Sequence, residues 1–423
     1  MKFSSISLYL QPRLLVVLFL GFVSGLPLAL TASTLSAWFT DLKIDKTSIG
    51  LFASVATPYA LKFLWAPLMD AYQFPLFSRL LGHRRGWILA TQIGLIFSII
   101  ALGLANPSLN PWLTALAALI VATFSASQDI VIDAYRVEIL NEDEQKIGAG
   151  MVQFGYRFGM LASGAGALAL ADHVSWEMTY FIMSGFMLIG IVTILLAPEP
   201  AVNREIKPSS IEHLLRGYVI APFSNFTNNK YWLQILLFIM LYKLGDAFLG
   251  IMTNPFLIEI GFTKTQIAAV VKIYGLIATL VGLLAGSMLS LRIGTVKTLM
   301  ICGIGHALTN LMFVVQARVG ADINILALGI SLENFSGGMT ASAFVAFISA
   351  LCNSKYTATQ YALLSSLAAI GRTLLTTTAG WTADNLGWEM FFIISVLLAV
   401  PSLVLLWWLS KKFRQFSISN QEP

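Results

Sequence analysis

The sequence predicts an all-α membrane protein of twelve transmembrane helices in two bundles of six, with both termini cytoplasmic. Three observations carry this. First, 57% of the 423 residues are hydrophobic and 11% charged, whereas soluble domains carry about a quarter charged residues. Second, apolar runs of about 20 residues, enough to cross a ~30 Å hydrocarbon core, recur along the chain. Third, with the N-terminus inside, 17 of the 26 basic residues fall in cytoplasmic segments, four outside and five within spans. That asymmetry sets the orientation. It also accounts for the net charge of +5, which excludes a nucleic-acid partner as its cause.

The first span, 14–38, follows Met1–Arg13 and stays apolar to Trp38, too long for the core of a signal peptide, so it reads as a retained helix. Spans follow at 49–71, 86–105, 111–135, 147–171 and 176–197. The polar stretch 198–230, containing PEPAVNREIKPSS, reads as a cytoplasmic linker between a 14–197 bundle and a 231–410 bundle. Spans at 231–258, 264–290, 296–317, 323–349, 356–380 and 388–410 complete the second set. The halves echo each other: Asp172 and Trp176-Glu177-Met178 match Asp384 and Trp388-Glu389-Met390 as DxxxWEM. Two six-helix halves related by an axis along the membrane normal describe the major facilitator architecture.

Charges inside the spans mark the candidate site. The bases are Lys62, Arg157, Lys243, Lys272 and Arg372; the acids are Asp129, Asp246 and Glu333, with Asp70 and Asp133 near helix ends. Each costs ~2.5–3.5 kcal/mol at a helix centre, so each needs a partner, water or a function. None falls on the third, sixth, ninth or twelfth span, the outer helices of that architecture. Expected pairs are Asp129 with Arg157 or Lys62, Glu333 with Arg372, and Lys243 with Asp246 at i, i+3. Such a network can bind anions, trade protons or hold a gate.

Tyr156, Tyr242, Tyr274, Trp65 and Asn334 are candidates for stacking on, or hydrogen bonding to, a sugar. Gly155 and Gly159 permit close helix approach, and Pro27 and Asn254-Pro255 are expected to interrupt their helices. His306, on the outer ninth span, reads as structural. Cys302 and Cys352 show no metal or disulfide spacing. No metal-binding or nucleophile motif points to an enzyme or a cofactor.

GFVSGLPLALTASTLSAW, LKFLWAPLMDAY, GHRRGW, SASQDIVIDAYRVEIL and GYRFGMLASG resemble the muropeptide permease (AmpG) family. PLMDAY followed by HRRGW stands where the superfamily carries its charged loop signature. The resemblance implies gating by Asp70, Arg84 and Arg85, and Asp133 and Arg136 read as hydrated gate residues beside them. It also implies proton-driven import of anhydro-muropeptides for peptidoglycan recycling in the inner membrane of a Gram-negative bacterium, indirectly linked to β-lactamase induction. Asp129 is the first candidate for coupling, with Glu333 and Asp246 behind it. Cargo contacts are expected from Lys62, Arg157, Lys243, Lys272, Arg372, Tyr156, Tyr242, Tyr274 and Asn334. Partners are then muropeptide, protons and the bilayer, with the chain working as a monomer. A carrier for another anionic metabolite, such as an acyl-CoA or sugar phosphate, is the alternative; a membrane enzyme or sensor is the remaining one.

Overall fold

Polar caps and left-handed glycines divide this apolar chain into helices. A computed structural model describes residues 9–42, 55–201, 212, 215–228, 230–353, 355–375 and 378–419, and no strand occurs among them. Contacts divide the chain into two compact units: Met1–Phe223 with Leu351–Ser366, and Ser224–Ala350 with Leu367–Pro423.

The first unit runs through α1 (Pro12–Thr31), α2 (Ser33–Asp41), α3 (Thr57–Leu61), α4 (Ala66–Ala71), α5 (Phe77–Leu81), α6 (His83–Leu104) and α7 (Pro111–Ile139). It continues with α8 (Glu142–Leu161), a π turn at Ala162–Gly166, α9 (Ala167–Ala171), α10 (Trp176–Leu196), a π turn at Leu215–Ile220 and the start of α11 (Ala221–Thr227). The second unit holds α12 (Trp232–Leu241), α13 (Leu244–Glu259), α14 (Lys264–Ala269), a π turn at Val270–Gly275 and α15 (Leu276–Ile293). Then come α16 (Thr295–Thr309), α17 (Leu311–Val319), α18 (Ile323–Leu351), α19 (Thr357–Leu375), α20 (Ala379–Leu397) and α21 (Val400–Ser419). The first turns of α19 belong to the first unit.

Starts and stops follow local chemistry. The Asn110 side chain caps α7 ahead of Pro111, and Ser175 caps α10 by accepting from the Met178 amide. Asn141 with Glu144 and Thr263 with Gln266 form capping boxes. Gly82 (φ 99°) and Gly294 (φ 84°) adopt the left-handed backbone that opens α6 and α16. Each precedes the third span of its set, a second echo between the halves.

Nine described stretches are long and apolar enough to cross a membrane. The expected second, fifth and eleventh spans are not among them. Residues 49–54 of the second lie outside the described residues, and its remainder is broken into short helices around Trp65. The fifth opens on Glu142, Asp143 and Glu144 and passes into the π turn. The eleventh meets residues 376–377, outside the described set. The 198–230 segment, expected as a polar tether, includes helix from Leu215 to Thr227.

Neither proline interrupts its helix, contrary to expectation: Pro27 lies inside α1 and Pro255 inside α13. Pro27 lacks the N–H that would bond the Val23 carbonyl, and the Gln128 amide of α7 supplies that donor at 3.1 Å. The chain breaks instead at Ala32 and at Tyr242–Lys243. Tyr180 donates to the Leu30 carbonyl at 2.9 Å near the first break. Thr34 likewise donates to Ser163 in the first π turn at 2.6 Å.

α1 and α8 meet backbone to backbone. A Cβ at Gly21 or Gly25 would collide with the carbonyls of Val152 or Tyr156. One at Gly155 or Gly159 would collide with those of Leu18 or Phe22. In the second unit, Gly282 and Gly338 bring α15 and α18 equally close. Gly185 on α10, by contrast, faces open space. Gly155→Val should therefore lower thermal stability in detergent, by an overpacking cost of about 1–3 kcal/mol or more, whereas Gly185→Ala should not. Equal melting temperatures for the two variants would refute the close contact.

Candidate functional site

The α1–α8 contact sets the position of Ser24, which lies between Gly21 and Gly25. Its hydroxyl donates to Asp129 Oδ1 of α7 at 2.5 Å. Lys62, buried at 8% exposure, opens a single 3₁₀ turn, Lys62–Leu64. It stands within electrostatic reach of both Asp129 and Asp133. The Tyr59 hydroxyl sits beside Asp129, Ser125, Thr31 and Tyr156 without closing a hydrogen bond of good geometry. Trp65 donates from Nε1 to Ser127 Oγ at 3.1 Å. Hydroxyls from Ser24 and Tyr59, the Lys62 ammonium and the carboxylates of Asp129 and Asp133 thus lie near one another in the first unit.

Arg157 does not join this cluster. It is exposed, and among the described residues it forms no ion pair with Asp129. Its position on α8 turns its side chain away from the Ser24 side of the helix. The expected Asp129–Arg157 pair is therefore replaced by Ser24 and Lys62.

One turn further along α7, Arg136 Nη2 lies 3.6 Å from Asp133 Oδ1. Its guanidinium stands over the Tyr361 ring at 5.3 Å. Arg136 is fully buried, so it is not the hydrated loop residue that its charge suggested. The Asp133 side chain keeps 19% exposure.

A second network ties α4, α6, α7 and α19. Arg84, fully buried, bonds Asp70 Oδ1 at 2.6 Å and Glu138 Oε1 at 2.7 Å. Asp70 accepts from the Thr359 amide at 2.8 Å and hydroxyl at 2.7 Å, and from the Ala358 amide at 3.3 Å. One carboxylate thereby caps the N-terminus of a helix 289 residues distant. Glu199 caps α6 in the same manner, accepting from the Arg84 and Arg85 amides at 2.9 and 3.1 Å. Arg85 in turn satisfies the last carbonyls of α10, Ile194 and Leu195, at 2.9 Å each. The sequence named Asp70, Arg84 and Arg85 but missed Glu138, Glu199 and Thr359.

In the second unit, the expected Lys243–Asp246 contact forms at 3.7 Å. Asp246 Oδ1 also lies 3.4 Å from His306 Nε2, and Glu333 is close enough that all three could share an ion. His306, read from the sequence as structural, thus stands beside two carboxylates. Through His306, α16 meets both α13 and α18. Asn334 donates to Glu333 Oε2 at 2.6 Å and accepts from Thr279 at 3.1 Å.

Tyr242 is a core residue rather than a cargo contact. It is 7% exposed, donates to the Leu299 carbonyl at 2.7 Å and stacks on Phe344. Tyr274 is exposed and lies, with Lys272, in the π turn Val270–Gly275. The side chains of Lys272 and Arg372 lie outside the described residues, and so does the expected Glu333–Arg372 pair.

Comparison with known proteins follows this geometry. The family model "Major Facilitator Superfamily" matches residues 17–289 and 235–422. The anhydromuropeptide permease of Escherichia coli K12 is 44% identical over 403 residues, covering 94% of this chain and 80% of that protein. A putative transporter AmpG 4 of Rickettsia felis is 39% identical, covering 95% and 97%. Among solved structures, a human organic anion transporter aligns with a TM-score of 0.69 at 17% identity, over 93% of this chain and 99% of its own. The transporter FucP in an outward conformation aligns at 0.73 and 13% identity, over 94% and 99%. These distant structures share the fold.

Removing one partner from a buried ion network leaves an uncompensated charge, at a cost of about 3–5 kcal/mol. Arg84→Met should accordingly lower the thermal midpoint of the purified protein. Arg318→Met, which breaks an exposed pair with Glu389, should leave it unchanged. Equal midpoints for both variants would show that the Arg84 network contributes no stability.

Proposed function

Because this chain belongs to the anhydromuropeptide permease family of the Major Facilitator Superfamily, we propose that it imports anhydro-muropeptides by alternating access coupled to protons. The observation that carries this reading is the 44% identity, across 94% of the chain, to a protein named anhydromuropeptide permease. The chain is a multi-pass membrane transporter and not an enzyme. Its membrane, in this reading, is the bacterial inner membrane, and its cargo feeds peptidoglycan recycling and thereby bears on β-lactamase induction.

The polar face of the first unit supports the cargo assignment. A disaccharide with a lactyl or peptide carboxylate needs hydroxyl and indole donors for the sugar and a cation for the acid. Tyr59, Trp65 and Tyr156 supply the first kind, and Lys62 the second. Asp129 supports coupling, because one oxygen is held by Ser24 while Lys62 stands near. A proton on that carboxylate would weaken its attraction for Lys62 and free the ammonium for an anionic cargo. The reverse exchange would release cargo and proton together.

Asp70, Arg84 and Arg85, with Asp133 and Arg136, serve as the gate. Asp70 holds the first turn of α19 through three donors, so a movement of α19 requires that cap to open. Arg84 holds the carboxylate in its orientation meanwhile.

Uptake of labelled anhydro-disaccharide, with and without stem peptide, into cells lacking their own permease tests the cargo. Accumulation is expected, and no uptake by inserted protein sinks the assignment. A protonophore should abolish accumulation; undiminished accumulation would sink the coupling. Asp129→Asn should reduce uptake to equilibration without accumulation while exchange persists, and full accumulation by this variant would remove Asp129 from the coupling step.

A further inference from the structure

We propose that Arg136 is a second anion site of the first unit: once the first turns of α19 withdraw, its guanidinium takes the carboxylate of the departing cargo from Lys62. This rests on the proposed function, namely an anionic cargo and a gate at α19. It adds a second station for the same negative charge, at the gate end of α7.

Arg84 and Arg136 both have no exposure to water, yet the fold treats them differently. Every guanidinium nitrogen of Arg84 has a partner. Nε bonds Glu138, Nη2 bonds Glu138 and Asp70, and Nη1 donates to the Met69 carbonyl at 3.2 Å. On Arg136, Nε and Nη2 close no hydrogen bond. Nη1 reaches Gln145 Oε1 at 3.5 Å, and Gln145 is itself fixed by donating to the Val137 carbonyl at 2.6 Å and the Leu140 carbonyl at 3.2 Å. Asp133 Oδ1 stands 3.6 Å from Nη2, close enough to attract and too far to bond. Unmade hydrogen bonds on a buried charged group are expensive. A cation kept for stability alone would be paired as Arg84 is.

The two unbonded nitrogens share one edge of the guanidinium. Their N–H bonds run parallel there and match the two oxygens of a carboxylate. Gln145 tethers the group by its other edge, so the open fork is held in place. The Tyr361 ring covers the group, with the guanidinium carbon 5.3 Å from its centroid. Tyr361 lies one turn into α19, just past Thr359, which Asp70 caps. Opening that cap and withdrawing α19 removes the ring and bares the fork.

The approach to this fork is charged. Asp129, Asp133 and Arg136 follow one stripe of α7 at i, i+4 and i+7, ~10 Å from end to end. Lys62 stands within electrostatic reach of both carboxylates. A cargo carboxylate leaving its ammonium meets Arg136 as the next cation along the stripe. Asp133, between the two, opposes a second carboxylate and keeps the hold weak enough for release.

Inside-out membrane vesicles offer added cargo the gate side of the protein, and right-side-out vesicles the opposite side. With labelled anhydro-disaccharide, Arg136→Gln should raise KM by about tenfold or more in inside-out vesicles, and by less than about twofold in right-side-out vesicles. For the methyl ester of the lactyl carboxylate, variant and wild type should match on both sides. Arg136→Lys keeps the charge and loses the fork; it should show the same selective loss for the acid, and carries the test should Arg136→Gln fail to fold. Equal losses for acid and ester, equal losses on the two sides, or an unchanged KM in a wild type that moves both compounds overturn the site. Wild-type vesicles that move neither compound refute the cargo reading, and the site with it.

Discussion

The contact on which the first unit depends is the one with no side chain in it. α1 and α8 approach until Gly21, Gly25, Gly155 and Gly159 each lie against a carbonyl of the opposite helix. Nothing larger than hydrogen fits at Gly21, Gly25, Gly155 and Gly159, so the two helices have little freedom to slide. Ser24 and Tyr156 hang from this pair at fixed positions, and Asp129 on α7 finds Ser24 at 2.5 Å as a result. A catalytic or binding geometry usually needs such support from outside the site. Here the support is steric and costs the chain four side chains on two helices.

A second constraint is electrostatic. Arg84 has no exposure to water, so its charge must be met within the protein. Asp70 and Glu138 meet it directly, and Asp70 still has lone pairs left for α19. The arrangement resolves two problems with one set of atoms: a buried cation and a helix N-terminus with orphan amides. Glu199 treats the start of α6 in the same way. The acids and bases of this region are therefore parts of helix ends as much as ion pairs.

Much of the architecture was legible in the sequence because a bilayer imposes a length on every apolar run. The residues that had to be explained were legible too, since charge in such runs is rare; Lys62, Asp129, Lys243, Asp246 and Glu333 all stood out. What hydropathy does not contain is the rotation of each helix about its axis. That rotation decides that Asp129 meets Ser24 rather than Arg157, and that Tyr242 packs into a core. Ser24 is one of many serines, and its partner lies 105 residues away. His306 was assigned by the rank of its helix in the bundle, a rule that describes where a helix stands and not what its inner face touches. Pro27 was misjudged for a related reason. The amide that rescues its missing bond comes from Gln128, on another helix.

The cap on α19 has a consequence for how that helix is held. Asp70 serves Arg84, two backbone amides and a hydroxyl with only two oxygens. Water that displaces one of these donors changes the orientation of the carboxylate for all the others. The grip is consequently cooperative: it fails as a unit or holds as a unit. Because the groups are buried, dissolved salt screens them weakly. The catch is then governed by hydration at a single carboxylate and is largely blind to the ionic strength on either side of the membrane.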